Sequence, residues 1–322
     1  MTKHNILSHY RLIGDHPADL LIQSLVDENG IEYIRSLFPF FSNYKDLSFG
    51  NLDPLIQDFL KVNSNLPASF DKKNMIRATD YYRNNQENIG LVLGLYSLPY
   101  CYLGADGARV LSFSARLNKD AFKRLVETGN FLKAVLNYDN WSEGRIFAIC
   151  IKVRLLHASI RYFILKSDRW DMKWGYPINQ EDLVGTNLAF SLIVLRGMEK
   201  LGLQADDSVK KAYINLWNVI GNLLGVQDDI VPENYLAAIK LDKEISKHQF
   251  KNSPHGSELT NSLMNAFRSI VPNEFTADLL QEQSRFLLGE NYANMLEIKT
   301  TTIPKSVLSV YNKTSALMSK IF

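Results

Sequence analysis

Apolar residues recur three and four positions apart along most of the chain, which is the spacing of one face of an α-helix. Strand-like patterns are confined to two short runs, at 98–103 and 110–113, and no Asn-Gly or Asp-Gly turn joins two alternating segments. The sequence therefore predicts an all-α fold. The predicted helices cover residues 19–27, 52–61, 72–85, 88–98, 119–136, 143–165, 180–201, 208–224, 232–250, 257–270, 274–288 and 304–321.

Residue types near the ends of several predicted helices agree with this assignment. Pro54 and Pro232 fall in first helical turns, where proline is tolerated because its missing N–H would have no helical partner. Asn179 precedes an aspartate by three residues, which resembles a capping box. Gly202 follows a predicted helix and can take the left-handed conformation that ends one.

The chain is predicted to be one domain. Its 322 residues are 46% hydrophobic, enough for a sizeable core, and no linker rich in proline, glycine or serine divides them. We therefore expect a single large globular helical domain over residues 1–322. With 36 basic and 34 acidic residues, the net charge of +2 gives no electrostatic footprint for nucleic acid.

The sequence also bears on the compartment. The first twenty residues mix charged and polar side chains and lack the basic-then-apolar pattern of a signal peptide. The most apolar stretch, 146–165, contains four ionisable residues, which disfavours a transmembrane segment. Cys101 and Cys150 lie in apolar surroundings and are typical of reduced core residues. These features predict a cytoplasmic protein, and they leave its oligomeric state open.

His157 is the histidine that requires an explanation. The chain has six histidines, and this one lies inside a strongly apolar helix, RIFAICIKVRLLHASIRYFIL. Burying an unpaired imidazole costs free energy, so the ring needs a hydrogen bond, a charge or a metal. His157 is therefore a candidate metal ligand. The alternative is a core histidine whose ring is satisfied by a backbone carbonyl.

Two arginines accompany His157 on one side of the same helix. Arg154 precedes it by three residues and Arg161 follows it by four, which places them roughly 60° and 40° away around the axis. A buried guanidinium keeps its charge and needs an anion. Haem b offers an iron for the imidazole and two carboxylates for the arginines. The alternative is that both arginines pair with carboxylates of the protein itself.

A second pair of polar residues shares one face of another predicted helix. Arg124 and Thr128 are four residues apart in KRLVETGNFL, so a guanidinium and a hydroxyl could contact one ligand together. The alternative is a solvated arginine and an ordinary helical threonine.

An acidic pair suggests a different chemistry. Asp228 and Asp229 resemble part of the carboxylate cluster with which an all-α isoprenoid synthase binds magnesium. Glu233 adds a third carboxylate, but Pro232 intervenes and no second acidic cluster lies in a matching helix. A solvated loop is the simpler interpretation, and a magnesium-dependent isoprenoid synthase is kept as an alternative function.

Several blocks of the sequence together resemble a known family. They read LPYCYLGADGARVL, KRLVETGNFLKAVL, VRLLHASIRYFI, WDMKWGYPINQEDLVGTNLAFS, LRGMEKLG and WNVIGNLLGVQDDIVPENYLAAI. In these blocks, over about residues 91–245, the chain resembles the haem b-dependent oxygenases that include latex clearing proteins (rubber oxygenase) and the mycophenolic-acid biosynthesis oxygenase. The R-x-x-H-x-x-x-R spacing and PINQEDL are the most specific parts of the likeness.

The resemblance implies a role for each candidate residue. It makes His157 the iron ligand of a haem, with Arg154 and Arg161 as flanking cofactor-binding residues. It makes Arg124 and Thr128 the polar pair near the haem, with both cofactor-binding and catalytic roles. The helical domain is accordingly expected to enclose a haem pocket.

Glu127 departs from the family pattern. In latex clearing proteins a lysine immediately before the threonine can approach the iron, whereas this chain has a carboxylate there. We retain Glu127 as a candidate catalytic residue and name Asp106 as a second candidate for a general base. The residues expected to line the apolar pocket are Phe122, Phe163, Phe190 and Trp217.

The resemblance thus implies a haem-dependent oxygenase, an oxidoreductase that acts with dioxygen on an apolar, unsaturated small molecule. Its expected partners are haem, dioxygen and that substrate. The first alternative is a haem-binding sensor or carrier without turnover, which Glu127 motivates.

Overall fold

The computed structural model of the chain describes residues 3–113 and 121–304. It confirms the all-α fold, since these ranges contain helices and turns but no strand, apart from an isolated bridge between Gly104 and Phe250. A π-helical turn, Leu93–Ser97, joins the fifth helix to the sixth. The α-helices of the described ranges are α1 (Lys3–Tyr10), α2 (His16–Asn29), α3 (Ile31–Phe41), α4 (Pro54–Asn63), α5 (Lys72–Val92), α6 (Leu98–Tyr102), α7 (Ala105–Phe113), α8 (Ala121–Val135), α9 (Tyr138–Ser142), α10 (Arg145–Leu165), α11 (Gln180–Phe190), α12 (Leu192–Lys200), α13 (Asp207–Leu223), α14 (Tyr235–Gln249), α15 (Pro254–Ile270), α16 (Glu274–Leu288) and α17 (Glu290–Met295).

Capping residues and a terminal glycine mark the observed ends of several of these helices. Asp53 caps α4 by accepting the backbone N–H of Leu55, and Asn179 caps α11 by accepting that of Asp182, at 2.9 and 3.0 Å. Gly202 has the predicted left-handed conformation, with φ of +80°. The prediction at Pro232 is wrong, because α14 begins three residues later.

Other differences arise where local pattern is weaker than tertiary context. The gap predicted at 86–87 is helical, and α5 continues through it with a kink at Asn85. The helix predicted over 180–201 is two helices that break at Ser191. The strand-like runs are helical, in α6 and α7, and α3 was not predicted, because Pro39 interrupts its pattern. Residues 305–321 of the last predicted helix lie outside the described ranges, as do residues 119–120 of the helix predicted over 119–136.

Helix α10 is buried on nearly all sides because it lies between two hydrophobic clusters. Ile149 and Val153 pack in the main core with the helices from α5 to α16. Leu155 and Ala158 pack in a second cluster formed with α2, α3 and α4. The position of His157 near the middle of α10 is therefore fixed by packing from both sides. Cys150, on the same helix, is a buried free thiol.

Candidate functional site

The His157 ring is only partly buried, yet its Nδ1 atom is enclosed and has no hydrogen-bond partner. Burial and the charge of Arg161 lower the pKa of His157 to about 4, against a smaller opposing effect of Asp15. The imidazole is therefore neutral at pH 7, which is the form that binds a metal. The alternative of a core histidine satisfied by a backbone carbonyl does not apply to this nitrogen.

Arg154 has every side-chain nitrogen paired. Its Nε and Nη2 donate to the two carboxylate oxygens of Asp15, the second bond being 2.8 Å long. Its Nη1 donates to Oδ1 of Asn63 at 2.7 Å, and its guanidinium lies 5.2 Å from the ring centre of Phe59. This bidentate geometry is the strongest form of an arginine–carboxylate pair. It ties α10 to the start of α2 and the end of α4.

A glycine and a glutamine hold Asp15 in place. A Cβ atom on Gly225 would lie 2.5 Å from Oδ2 of Asp15, and the φ of Gly225 is +91°, so this close approach requires glycine. Gln180 donates to the carbonyl oxygens of Gly14 and Gly225, both at 2.9 Å. The PINQEDL segment thus joins the residues that flank Asp15 to the turn after α13.

Arg161 is paired less completely than Arg154. Its Nε donates to Oδ1 of Asp19 at 2.6 Å, and its Nη1 donates to the carbonyl of Ile178 at 3.4 Å. Its Nη2 is buried and has no partner. The other oxygen of Asp19 accepts the hydroxyl of Tyr176 at 3.5 Å. Burial raises the pKa of Asp19, while the contact with Arg161 opposes that increase.

Both flanking arginines therefore have a carboxylate of the protein as their anion, which is the alternative left open by the sequence. These contacts give no support to a role for Arg154 or Arg161 in binding haem propionates. Sequence reasoning missed Asp15 and Asp19 because they lie 139 and 142 residues from their partners. The four-residue spacing of the two aspartates at the start of a helix was the available signal.

The PINQEDL segment also carries a buried ionic network. Glu181 is fully buried and accepts from Gln249 at 2.9 Å, while His248 Nδ1 lies 2.8 Å away and Arg11 3.4 Å away. Burial raises the pKa of Glu181, and His248 and Arg11 act in the opposite direction. Asp106, the candidate base, lies 3.8 Å from the same Arg11. Asp106 is therefore part of an ion-pair network.

The second polar pair lies on α8, which packs against α10. The Arg124 guanidinium is 5.5 Å from the ring centre of Tyr102. Glu127 and Thr128 are half-buried, and the charge of Glu127 adds to the burial that raises the pKa of Tyr44. Arg124 also borders a small cleft between α6, α8 and α15. The residues that line this cleft are Leu98, Tyr102, Arg124, Leu125, Leu259, Ser262 and Leu263.

The four aromatic residues expected to share a pocket lie apart. Phe190 stacks on the buried Trp217, with ring centres 5.3 Å apart, in the main core. Phe163 packs 5.9 Å from Phe38 in the second cluster, and Phe122 is 45% exposed. The prediction of one shared aromatic lining is therefore wrong, because these side chains belong to different packing units.

The acidic pair does not form a metal cluster. Asp228 and Asp229 are exposed in the turn after α13, and Asp228 accepts from Nδ2 of Asn222 at 2.7 Å. Within residues 3–113 and 121–304, no three His, Cys, Asp or Glu residues are arranged to hold a metal together. The geometry therefore gives the isoprenoid-synthase alternative no support. No helix in the same ranges is long and apolar enough to cross a bilayer.

Comparisons with known proteins identify the family of the chain. Residues 94–315 match the family described as ER-bound oxygenase mpaB/B'/Rubber oxygenase, catalytic domain. The rubber oxygenase of Streptomyces sp. (strain K30) is 22% identical over 288 residues, which are 88% of this chain and 70% of that protein. The solved structure of latex clearing protein LCP in the closed state has the same fold, with a TM-score of 0.82 and 20% identity over 97% of this chain and 85% of that one. The chain belongs to this oxygenase family, and it is an oxidoreductase.

Proposed function

We propose that this oxygenase binds haem b through His157 and uses dioxygen to oxidise an apolar, unsaturated small molecule. The observation that carries the proposal is the state of the His157 ring. It is neutral, it lies in the middle of a mostly buried apolar helix, and its enclosed Nδ1 has no partner. A neutral imidazole held in this way would be suited to bind a haem iron.

The surrounding residues fit a haem in part. His157 would supply a nitrogen ligand to the iron. Arg154 and Arg161 are engaged with carboxylates of α2, so we do not assign them to the propionates. We assign that role to Arg124 and Thr128, which lie four residues apart on α8, a helix that packs against α10.

When bound, the haem would supply the iron that activates dioxygen. The residues of the chain would supply the environment. The apolar faces of α10 and its neighbours exclude water from the ligand helix. Glu127 offers a half-buried carboxylate on α8 that could hold a proton where latex clearing proteins have a lysine. The name of the rubber oxygenase relative supports an apolar class of substrate.

Oxygen uptake by the haem-loaded protein tests the proposal. We expect dioxygen consumption with at least one member of a panel of unsaturated terpenoids and fatty acids, and its loss in His157→Ala. His255→Ala, which changes a histidine on α15, is the matched control and should keep the activity. Haem binding without uptake across the panel would favour a sensor or carrier, and undiminished uptake by His157→Ala would contradict the ligand assignment.

A further inference from the structure

Lys152 is a fully buried cation on α10, and its hydrogen-bond partners are backbone carbonyls. Burial lowers the pKa of Lys152 to about 8, against a smaller opposing effect of Asp46, so the side chain is an ammonium at pH 7. The carboxylate of Asp46 is turned to Ser48, from which it accepts the backbone N–H at 3.0 Å and the hydroxyl. The charge of Lys152 is therefore held by neutral groups of the backbone.

The Nζ atom of Lys152 lies among three carbonyl oxygens at the end of α3. It donates to the carbonyl of Phe40 at 3.0 Å, to that of Asn43 at 2.8 Å and to that of Asp46. An ammonium has three N–H donors, so each of them has an acceptor. The ring centre of Phe40 lies 3.4 Å from the same nitrogen, and an aromatic face attracts a cation.

The end of a helix explains why acceptors are available here. The last carbonyls of a helix have no partner within it, and they carry the negative end of its dipole. Phe40 lies in the last turn of α3, while Asn43 and Asp46 lie in the turn that follows. Three carbonyl oxygens thus converge on one point, which is the kind of oxygen set that binds a monovalent cation.

We propose that the end of α3 and the turn after it form an ammonium-binding site, which Lys152 fills from within the chain and through which it positions Tyr44. The ligand class is a primary alkylammonium ion, which carries three N–H donors on an apolar stem. In the native chain the lysine side chain is that ligand. Shortening it to alanine opens the site to a free one.

The contact with Lys152 fixes the turn that carries Tyr44. This residue lies inside the segment 43–46, and the carbonyls at both ends of that segment accept from Lys152. The Tyr44 ring packs against Phe131 of α8, with ring centres 5.6 Å apart. Lys152 thereby joins α10 to a turn that packs on α8. The effect of this link on haem binding rests on the proposed function, whereas the ammonium site does not.

Thermal unfolding of the full chain at pH 7 tests the site, with n-propylammonium chloride as the probe. Lys152→Ala removes three carbons and the nitrogen, which matches the size of that ion. The ion should raise the melting temperature of Lys152→Ala, because it binds the folded state alone. Its neutral counterpart n-propanol should need a roughly tenfold higher concentration for the same rise, since it lacks the charge. The native chain and Lys152→Met should show no rise beyond that in sodium chloride of equal ionic strength.

Lys200→Ala is the matched control. The Nζ atom of Lys200 donates to the carbonyl of Leu287 at 2.5 Å and lies 5.0 Å from the ring centre of Tyr96, so its removal leaves one acceptor and not three. A rise in this variant equal to that in Lys152→Ala would overturn the site. So would an equal effect of n-propanol, which would reveal a merely apolar space, or the lack of any effect of the ion on Lys152→Ala.

The native chain provides a second measurement, which decides if Lys152→Ala does not fold. Nitrogen-15 NMR of the lysine side chains at pH 7 should show a slowly exchanging ammonium signal, because Nζ of Lys152 is buried and its hydrogens are bonded. Lys152→Met should lack this signal. A native spectrum without a slowly exchanging ammonium, or one in which the Lys152 signal is that of a neutral amine, would contradict the proposal.

Fluorine NMR of the chain labelled with fluorotyrosine tests the position of Tyr44, whose signal is the one that Tyr44→Phe loses. The signal should shift in Lys152→Ala and return when n-propylammonium is added, but not with n-propanol at the same concentration. An unchanged signal in Lys152→Ala would show that Lys152 does not position the turn. Neither measurement uses haem, so a chain that binds no haem would defeat the proposed function and leave these results valid.

Discussion

The two arginines that flank His157 look equivalent in the sequence, and the structure makes them unequal. Arg154 is saturated, with two bonds to Asp15 and one to Asn63. Arg161 has one short bond to Asp19, a long bond to a backbone carbonyl and a buried Nη2 without a partner. Helix α10 is therefore anchored firmly on the turn before His157 and less completely on the turn after it.

This difference shows how helix α10 can be held firmly in place and still keep an unpaired donor near His157. The Arg154 pair resists any movement of α10 against α2, because breaking it would leave a buried charge. The unpaired Nη2 of Arg161 can donate to a new partner, such as a buried water, without the loss of an existing hydrogen bond. Arg154 thus contributes stability, whereas Arg161 keeps a donor for a further hydrogen bond.

The largest expected effect is a loss of stability when either arginine is replaced, and it should differ between the two ion pairs. Arg154→Leu leaves Asp15 buried without its partner and should lower the free energy of unfolding by about 3–5 kcal/mol. Arg161→Leu should cost about 2 kcal/mol, because the side chain of Asp19 is 19% exposed and keeps the Tyr176 hydroxyl. Urea unfolding of the cofactor-free proteins measures both values, with Arg35→Leu as an exposed control. Equal losses of unfolding free energy in the two variants would contradict the difference between the two ion pairs.

An intermediate effect is expected from pH. Burial and Arg161 lower the pKa of His157 from 6.5 to about 4 in the folded chain, so the folded state binds this proton less readily than the unfolded state. The stability that depends on a neutral His157 is therefore complete above pH 6.5 and is lost as the pH falls toward 4. The loss is at most about 3 kcal/mol.

Urea unfolding of the cofactor-free chain between pH 8 and pH 4 measures this dependence, with His157→Gln as the reference. The stability difference between the two proteins should change over that window, and less so in an Arg161→Gln background. A difference that stays constant with pH would show that His157 titrates normally in the folded protein.

The smallest expected effects come from the outer partners of the two ion pairs. Asn63→Ala removes the 2.7 Å bond to Arg154 and should cost about 1–2 kcal/mol. Tyr176→Phe removes only the 3.5 Å contact with Asp19 and should cost less than about 0.5 kcal/mol. Thermal unfolding of the two variants checks the order. A larger cost for Tyr176→Phe would show that the Arg161 side is the stronger anchor.

Local chemistry in the sequence was sufficient for much of the fold. Asp53 and Asn179 mark helix starts because the capping bond joins residues two or three positions apart. The break at Ser191 and the persistence of α5 across Asn85 could not be predicted this way, because packing against other helices decides them. The same limit applies to α3, which tolerates Pro39.

At the candidate site, the sequence singled out His157 but not the residues that pair with its flanking arginines. His157 could be singled out because an imidazole in an apolar helix demands a partner, and the structure leaves its Nδ1 without one. The partners of the flanking arginines were missed, since the spacing of Asp15 and Asp19 at the start of α2 does not by itself show which helix they pair with. The prediction of a shared aromatic lining failed because helical spacing does not indicate which hydrophobic cluster a helix face packs into.

The haem content of the freshly purified protein, measured from its absorbance spectrum beside that of His157→Ala, tests the central claim most directly. The account predicts one haem per native chain, with a Soret band, and no retained haem in a His157→Ala protein whose circular dichroism is still helical. Full haem occupancy in His157→Ala, or a native chain that binds no haem when the cofactor is supplied, would contradict the assignment of His157 as the iron ligand.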